Sequence, residues 1–580
     1  MMRSPGRRLV LVALALLTHA CAGLPFGPAP RVADLTRAYD DDVTPYYPFT
    51  ASEIGLRQYD RVLANDIGEK YRSGMKALCT RHLARLHGLD AAGLDGAERL
   101  AYDVFEYRLT SCLDTFRFPW QLLPVNQAGH TWPSRFPVVG AGRGNHPFKT
   151  VRNYQDFLGR IGGFVIWMDT AIANMREGVA RGVTHPRAVM LKVLPQLDVH
   201  IVDDPQTSLF YEPIRNFPAG FDEPTRRTLT LAYTEAIREQ IVPAYRRLRT
   251  FIQDEYLPRC RTSAGLSALP DGNTWYAFAV RYSTTTDLTP AAIYDLGVAE
   301  VTRIRGAIAA LQAEIATAGE PELTRYRSID ELLKAYAELR AAVDSAMPRL
   351  FGHFPRAGFE IRPIEPFRER SMSSSYEPAA LDGSRSGVFY LNSADVRSGG
   401  SARVSRALYL HEAVPGHHFQ VTLQRENTGL PAYRRFGWYT AFGEGWALYA
   451  ESLGTELGVY ANRRDRLAML GGELFRAQRL VVDVGLHAKG WTREQAIDYL
   501  GGPTPDNERE IERYMVWPGQ ALGYKIGQLK FVEMRRRAET ALGPAFDVRG
   551  FHDELLRDGA MPLSVLESKM DRWLAARRRA

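Results

Sequence analysis

The chain is poor in cysteine, with only Cys21, Cys79, Cys112 and Cys260 among its 580 residues. No two of them are spaced as a metal-binding pair, which excludes a thiolate metal cluster of the usual kind, and a cysteine nucleophile is not expected. In an exported setting Cys79 and Cys112 could pair and leave Cys260 free, but spacing alone does not fix the pairing. After the first twenty residues no apolar run is long enough to span a bilayer, so the body of the chain is expected to be soluble. There is no Ser/Gly linker, no low-complexity tract and no internal repeat, so composition does not divide the chain. Nucleic-acid motifs are absent too. The net charge of +7 includes three arginines and no acid in residues 1–20, leaving +4 for the rest, with bases and acids interleaved. Nucleic acid is not an expected partner.

The first twenty residues read as a signal peptide. Arg3, Arg7 and Arg8 make a basic start, Leu9 to Leu17 is a short apolar run, and Ala20 precedes Cys21. A cysteine in that place points to a lipoprotein, with Cys21 lipidated and the protein held in the cell envelope facing the periplasm. The stretch Leu17-Thr-His-Ala-Cys21 departs from the ideal lipid-attachment signal, and ordinary cleavage to a soluble periplasmic protein is the alternative. Residues 21–45 read as a tether, 46–260 as an N-terminal helical region and 261–580 as a C-terminal helical region carrying the chemistry, the two forming one integrated unit. Helical periodicity runs over 151–183, 223–255, 290–318, 328–348, 403–424, 439–458, 463–487, 492–501 and 507–541. Thr289-Pro290 and the Thr492/Gln495 pair are helix starts. Residues 120–150 read as ordered loop, and Phe359–Pro363 and Gly387–Asn392 as short strands.

The chemistry concentrates in residues 411–418, His-Glu-Ala-Val-Pro-Gly-His-His, which hold three of the thirteen histidines. His-Glu opening such a run is how a zinc hydrolase sets a ligand beside its general base. The usual second histidine, at i+4, is replaced by Pro415, and the histidines fall at i+6 and i+7. Proline cannot donate to the carbonyl of residue 411, so the helix is expected to kink or bulge there. A bulge would return His417 to the i+4 location, with His418 the alternative ligand. A third ligand is expected from Glu444, a carboxylate in an otherwise apolar helix, while Glu451 would orient a ligand histidine. The bland alternative pairs these glutamates with Arg434 or Arg435. Imidazole and carboxylate suit Zn2+, with manganese, cobalt and iron left open.

These motifs carry a family resemblance. The octapeptide, Glu444-Gly-Trp-Ala-Leu-Tyr-Ala-Glu451 and Pro518-Gly-Gln-Ala-Leu-Gly-Tyr-Lys-Ile-Gly527 resemble the domain of unknown function 885 family. Leu269-Pro-Asp-Gly-Asn-Thr-Trp-Tyr276, Thr284 to Pro290, Asp382 to Asn392 and Asp483 to His487 are similar as well. The resemblance implies a bacterial, lipoprotein-type, gluzincin-like metallopeptidase. Its fold would be mainly α, large and two-lobed, with a small β-sheet beside the metal helix. It also implies that the strand edge Phe389–Asn392 pairs with substrate backbone.

The expected function is therefore an exported zinc-dependent hydrolase of peptide or small amide bonds, with Glu412 as general base. His487, oriented by Asp483, and Tyr514 and Tyr524 are candidate donors to the oxyanion. Asn392, Arg385, Arg513 and Lys525 are candidate substrate contacts, the cations for a peptide carboxylate. The alternatives are a non-catalytic envelope lipoprotein that binds peptide or metal, and a metal amidohydrolase of non-peptide or peptidoglycan-derived amides.

Overall fold

The computed structural model describes residues 31–579, apart from 145, 367, 368, 370–372 and 382–384. The signal peptide and Cys21 lie outside the described residues. Helix makes up 67% and strand 3%, which puts the chain in the mainly α class. The strongest sequence patterns become the longest helices: Val151–Ala180, Pro290–Ala318 and Arg463–Ala488. Their starts are satisfied by side chains. Thr150 accepts from the Asn153 amide, Thr289 from that of Ala292 and Asn462 from that of Asp465. Thr492 and Gln495 form the capping box their spacing spells.

Several boundaries differ from the sequence reading. The presumptive tether is helical over Val32–Val43, because Val32, Leu35, Tyr39 and Val43 bury one face. That face packs on the helices Glu69–His87 and Gly96–Thr115, which the Cys79–Cys112 disulfide joins. Cys260 is free, and burial pushes its thiol up to about 12, so it is inert at neutral pH. The expected helix over 507–541 splits into Pro505–Val516 and Leu522–Leu542. The split is at Gly519, whose φ is +78° and whose amide donates to the Asp483 carboxylate. Gly272–Thr284, Val548–Leu556 and Leu563–Arg577 are further helices.

Two large apolar clusters organise the chain. The first combines residues from Leu63 to Ala264 with Val482, Leu486, Ile511, Tyr514 and Ala521. The second runs from Leu332 to Met570 but also takes Leu100 and Val104. A boundary at residue 260 therefore does not separate the cores.

Among the described residues the sheet has three strands, β1 (Phe359–Pro363), β2 (Ser375–Glu377) and β3 (Gly387–Leu391), in the order β1-β3-β2. β3 is central, parallel to β1 and antiparallel to β2. The expectation that Phe389–Asn392 offers an edge to substrate is thus wrong: the unforeseen β2 occupies that edge.

The octapeptide does not bulge. It breaks one expected helix into two, Arg406–Glu412 and His417–Glu426. Ala413 (φ −104°, ψ −103°) and Gly416 (φ −74°, ψ −130°) both leave the helical region. The chain folds back so tightly that a Cβ on Gly416 would lie 1.9 Å from the His411 carbonyl oxygen and 2.3 Å from that of Leu410. Only glycine fits. The Trp446 indole N–H clasps the turn by donating to the Pro415 carbonyl at 2.8 Å. Gly416→Ala is expected to lower the melting temperature sharply or to yield no soluble protein. The control Gly306→Ala, on an exposed helical position with nothing within 4 Å of the added Cβ, should be neutral or stabilising by up to about 1 kcal/mol. Thermal melts of the two side by side would show whether the turn is as intolerant as the geometry says.

Candidate metal centre

The break brings His411, at the end of one helix, against His417, at the start of the next. Their rings are 4.8 Å apart and nearly perpendicular. The helix Thr440–Ser452 lies across both and supplies Glu444. Its Oε2 is 3.4 Å from His417 Nε2 and 3.7 Å from His411 Nε2. One ligand atom from each of the three residues falls within 4.8 Å of the others. These separations exceed the usual hydrogen-bond length of about 2.9 Å. They resemble instead the spacing of donors that each sit about 2.1 Å from one tetrahedral ion, so the three residues fit a divalent metal such as zinc.

The surroundings support that arrangement. Glu451 Oε1 is 2.9 Å from His411 Nδ1, which turns Nε2 toward Glu444. Burial would push His411 down, but Glu444, Glu451 and Glu412 outweigh it and raise it to about 9. Burial likewise opposes the charge on Glu444, yet the two imidazoles hold it well below the ordinary carboxylate range. In the metal-free site a proton on imidazole thus does the neutralising that a cation would do. Glu412 is buried beside the group, and burial pushes its carboxyl up. His411, Glu412, His417, Glu444 and Tyr524 all line one cavity of about 420 Å³, together with Ser374, Ser375 and Tyr376 of the β2 region.

His418 is turned elsewhere. Its Nδ1 meets the Tyr376 hydroxyl at 3.0 Å and its ring packs on Phe359. The arginines of the bland reading are also committed elsewhere. Arg434 donates to the Asp558 carbonyl and Arg435 to that of Arg425, while Glu451 has Arg476 at 3.7 Å.

Several expected site residues stand apart from the cavity. His487 is fully buried between backbones: Nδ1 accepts from the Leu266 amide and Nε2 donates to the Tyr514 carbonyl. Burial pushes it down to about 3, so it is a neutral structural imidazole. Asp483 does not orient it. That carboxylate takes the Tyr276 hydroxyl and the Gly519 amide. The Tyr514 hydroxyl is tied to Glu510 and Arg479 within the first core. Lys525 is buried among Glu473, Glu300 and Gln528, locking three helices together. Arg513 bonds Gln520 and reaches the Tyr524 hydroxyl at 3.4 Å. Arg385 donates to the Pro378 and Ser386 carbonyls of its own loop. Asn392 shapes a turn by meeting the Glu369 carbonyl and the Ala394 amide.

The chain matches the family described as "Bacterial protein of unknown function (DUF885)" over residues 48–570. It belongs to that family. A crystal structure described as a "putative lipoprotein" from Colwellia psychrerythraea is 27% identical with a TM-score of 0.83, over 94% of this chain and 99% of that one. A second, from Shewanella oneidensis, described as a "putative lipoprotein of unknown function", is 17% identical with a TM-score of 0.69. It covers 93% of this chain and 100% of that one, and its likeness is one of fold. No curated protein matches.

The donor geometry predicts one divalent ion per chain. His411→Ala and Glu444→Ala should each lose stoichiometric zinc after dialysis against it, while His418→Ala keeps it. Elemental analysis of the three purified variants decides between His417 and His418 as the second ligand.

Proposed function

We propose that this family member is a metal-dependent hydrolase of peptide or related amide bonds. The observation that carries the reading is Glu412, a buried carboxylate in the same cavity as the three donors and not one of them. Binding a metal requires no such group, whereas hydrolysis requires a base. An ion on His411, His417 and Glu444, zinc foremost, would supply a Lewis acid and a water that ionises near neutrality. Glu412 accepts the proton of the attacking water and returns it to the leaving nitrogen. Its raised pKa suits both halves of that task. Glu451 holds the His411 ring in register through Nδ1. The Tyr524 phenol is the donor for the developing oxyanion, since it alone of the three candidates lines the cavity. Arg479 lies over its ring at 4.5 Å and Arg513 borders its hydroxyl, so its position is fixed from two sides.

The substrate backbone is assigned to β2. Among the described residues its outer edge pairs with no other strand, and Ser374 to Tyr376 line the cavity, so an extended peptide can add there. Delivery to the envelope rests on residues 1–20, with Cys21 as the anchor. The structural relatives described as lipoproteins support this, and no helix among the described residues is long and apolar enough to cross a membrane.

Glu412→Gln should keep its metal and lose on the order of 10² to 10⁴ in rate, in kcat more than in KM. A peptide-library digest followed by kinetics on a cleaved sequence measures this, and near-normal turnover with metal retained would refute the mechanism. Cys21→Ser should move the protein from the membrane to the soluble fraction of cells. Wild type found solely in the soluble periplasm would remove the anchor.

A further inference from the structure

A second cavity, of about 240 Å³, adjoins the metal cavity. Phe436, Gly437 and Trp438 line both, so one short segment forms the partition. The far wall comes from the N-terminal helix and the residues after it, with Val43, Ala51 and Ile54 as apolar lining. Across it stands Arg108, on the helix Gly96–Thr115. Its Nε donates to the Tyr39 hydroxyl at 3.3 Å and its Nη2 to that of Tyr47 at 3.4 Å.

Among the described residues Arg108 has no counter-ion. Buried arginines elsewhere in this chain are held in two ways: Arg479 and Arg493 meet Glu510 and Glu512, whereas Arg160 is held by the Val62 and Tyr59 carbonyls, the Ser52 hydroxyl and His146. Arg108 meets only phenols among the described residues. Among the described residues the one acid lining the pocket is Asp40, and both its oxygens are engaged. Its two oxygens accept the Ala432 and Tyr433 amides at 2.6 and 2.9 Å. The phenols engage two of the five guanidinium N–H groups of Arg108, which leaves three for a ligand's carboxylate. The metal cavity holds one more such cation beside Glu412 and Glu444. Arg435 lines it and also pairs with no carboxylate among the described residues.

We propose that this pocket is the subsite for a carboxylate of the substrate, with Arg108 as its anchor. The proposal deepens the hydrolase reading, on which it rests for the identity of the ligand as substrate. The substrate class is then a peptide or acylated amino acid that carries a free carboxylate close to the bond cleaved. The guanidinium takes the carboxylate, Tyr39 and Tyr47 hold the guanidinium, and the apolar wall takes the adjoining side chain.

The test uses binding, not turnover. Calorimetry on the chelator-treated full-length protein compares 3-phenylpropionate with its neutral amide, so that no metal competes for the acid. Wild type should bind the acid roughly 10- to 100-fold more tightly than the amide, the range of one charge-assisted contact. Arg108→Met should abolish that preference and Arg108→Lys should keep part of it. Equal affinities in wild type, no binding of either probe, or an unchanged preference in Arg108→Met overturns the subsite. Should Arg108→Met fail to fold, the acid-to-amide ratio of wild type and its weakening by about threefold in Tyr47→Phe still decide. A chain that shows the preference yet cleaves no peptide refutes the hydrolase and leaves the anion subsite standing. An active chain without the preference does the reverse.

Discussion

Three carboxylates, Glu412, Glu444 and Glu451, are buried around two imidazoles in the apolar heart of the second core, and balancing that charge is the constraint from which the rest of the centre follows. Unpaired carboxylates would not persist there. His411 answers two of them, through Nδ1 to Glu451 and Nε2 toward Glu444. His417 answers Glu444 from the other side. Glu412 faces the cavity and keeps its proton to a higher pH than an exposed glutamate would. The balance holds only if His411 and His417 stand ring to ring, and that depends on the turn at Gly416 and its clasp by Trp446.

Much of the architecture was legible from periodicity. The long helices and the strands β1 and β3 fell where apolar spacing and caps placed them, because such segments are decided by local pattern. What was missed depends on partners distant in sequence. The helix Val32–Val43 has a face that makes sense only against Glu69–His87 and Gly96–Thr115. β2 is three residues, Ser-Tyr-Glu, too short for any alternation to register, and it exists because β3 offers it an edge.

The site was legible where chemistry is rare and illegible where it is common. Two histidines and a glutamate in apolar surroundings have few other reasons to be there, and the structure gathers the three. The break was read as a bulge because a proline explains a kink, whereas the close approach of the Gly416 backbone to the Leu410 and His411 carbonyls belongs to three dimensions. Asp483 and His487 looked like an i, i+4 pair, but each is drawn to a different backbone group. Lys525 looked like an anion anchor and is a strut among helices. Arginine, lysine and tyrosine serve packing as readily as recognition. For the same reason the chain gave no sign that Arg108, a position on the helix Gly96–Thr115, meets only phenols among the described residues.

The interleaving of the two cores also bears on how the molecule comes to exist. The apolar face of Val151–Ala180 and its neighbours is sealed in part by Val482, Leu486, Ile511 and Ala521, which are made more than three hundred residues later. A chain that emerges N-terminus first therefore carries an open, greasy seam for most of its synthesis. That seam keeps the nascent protein from settling into its final shape until the last helices arrive.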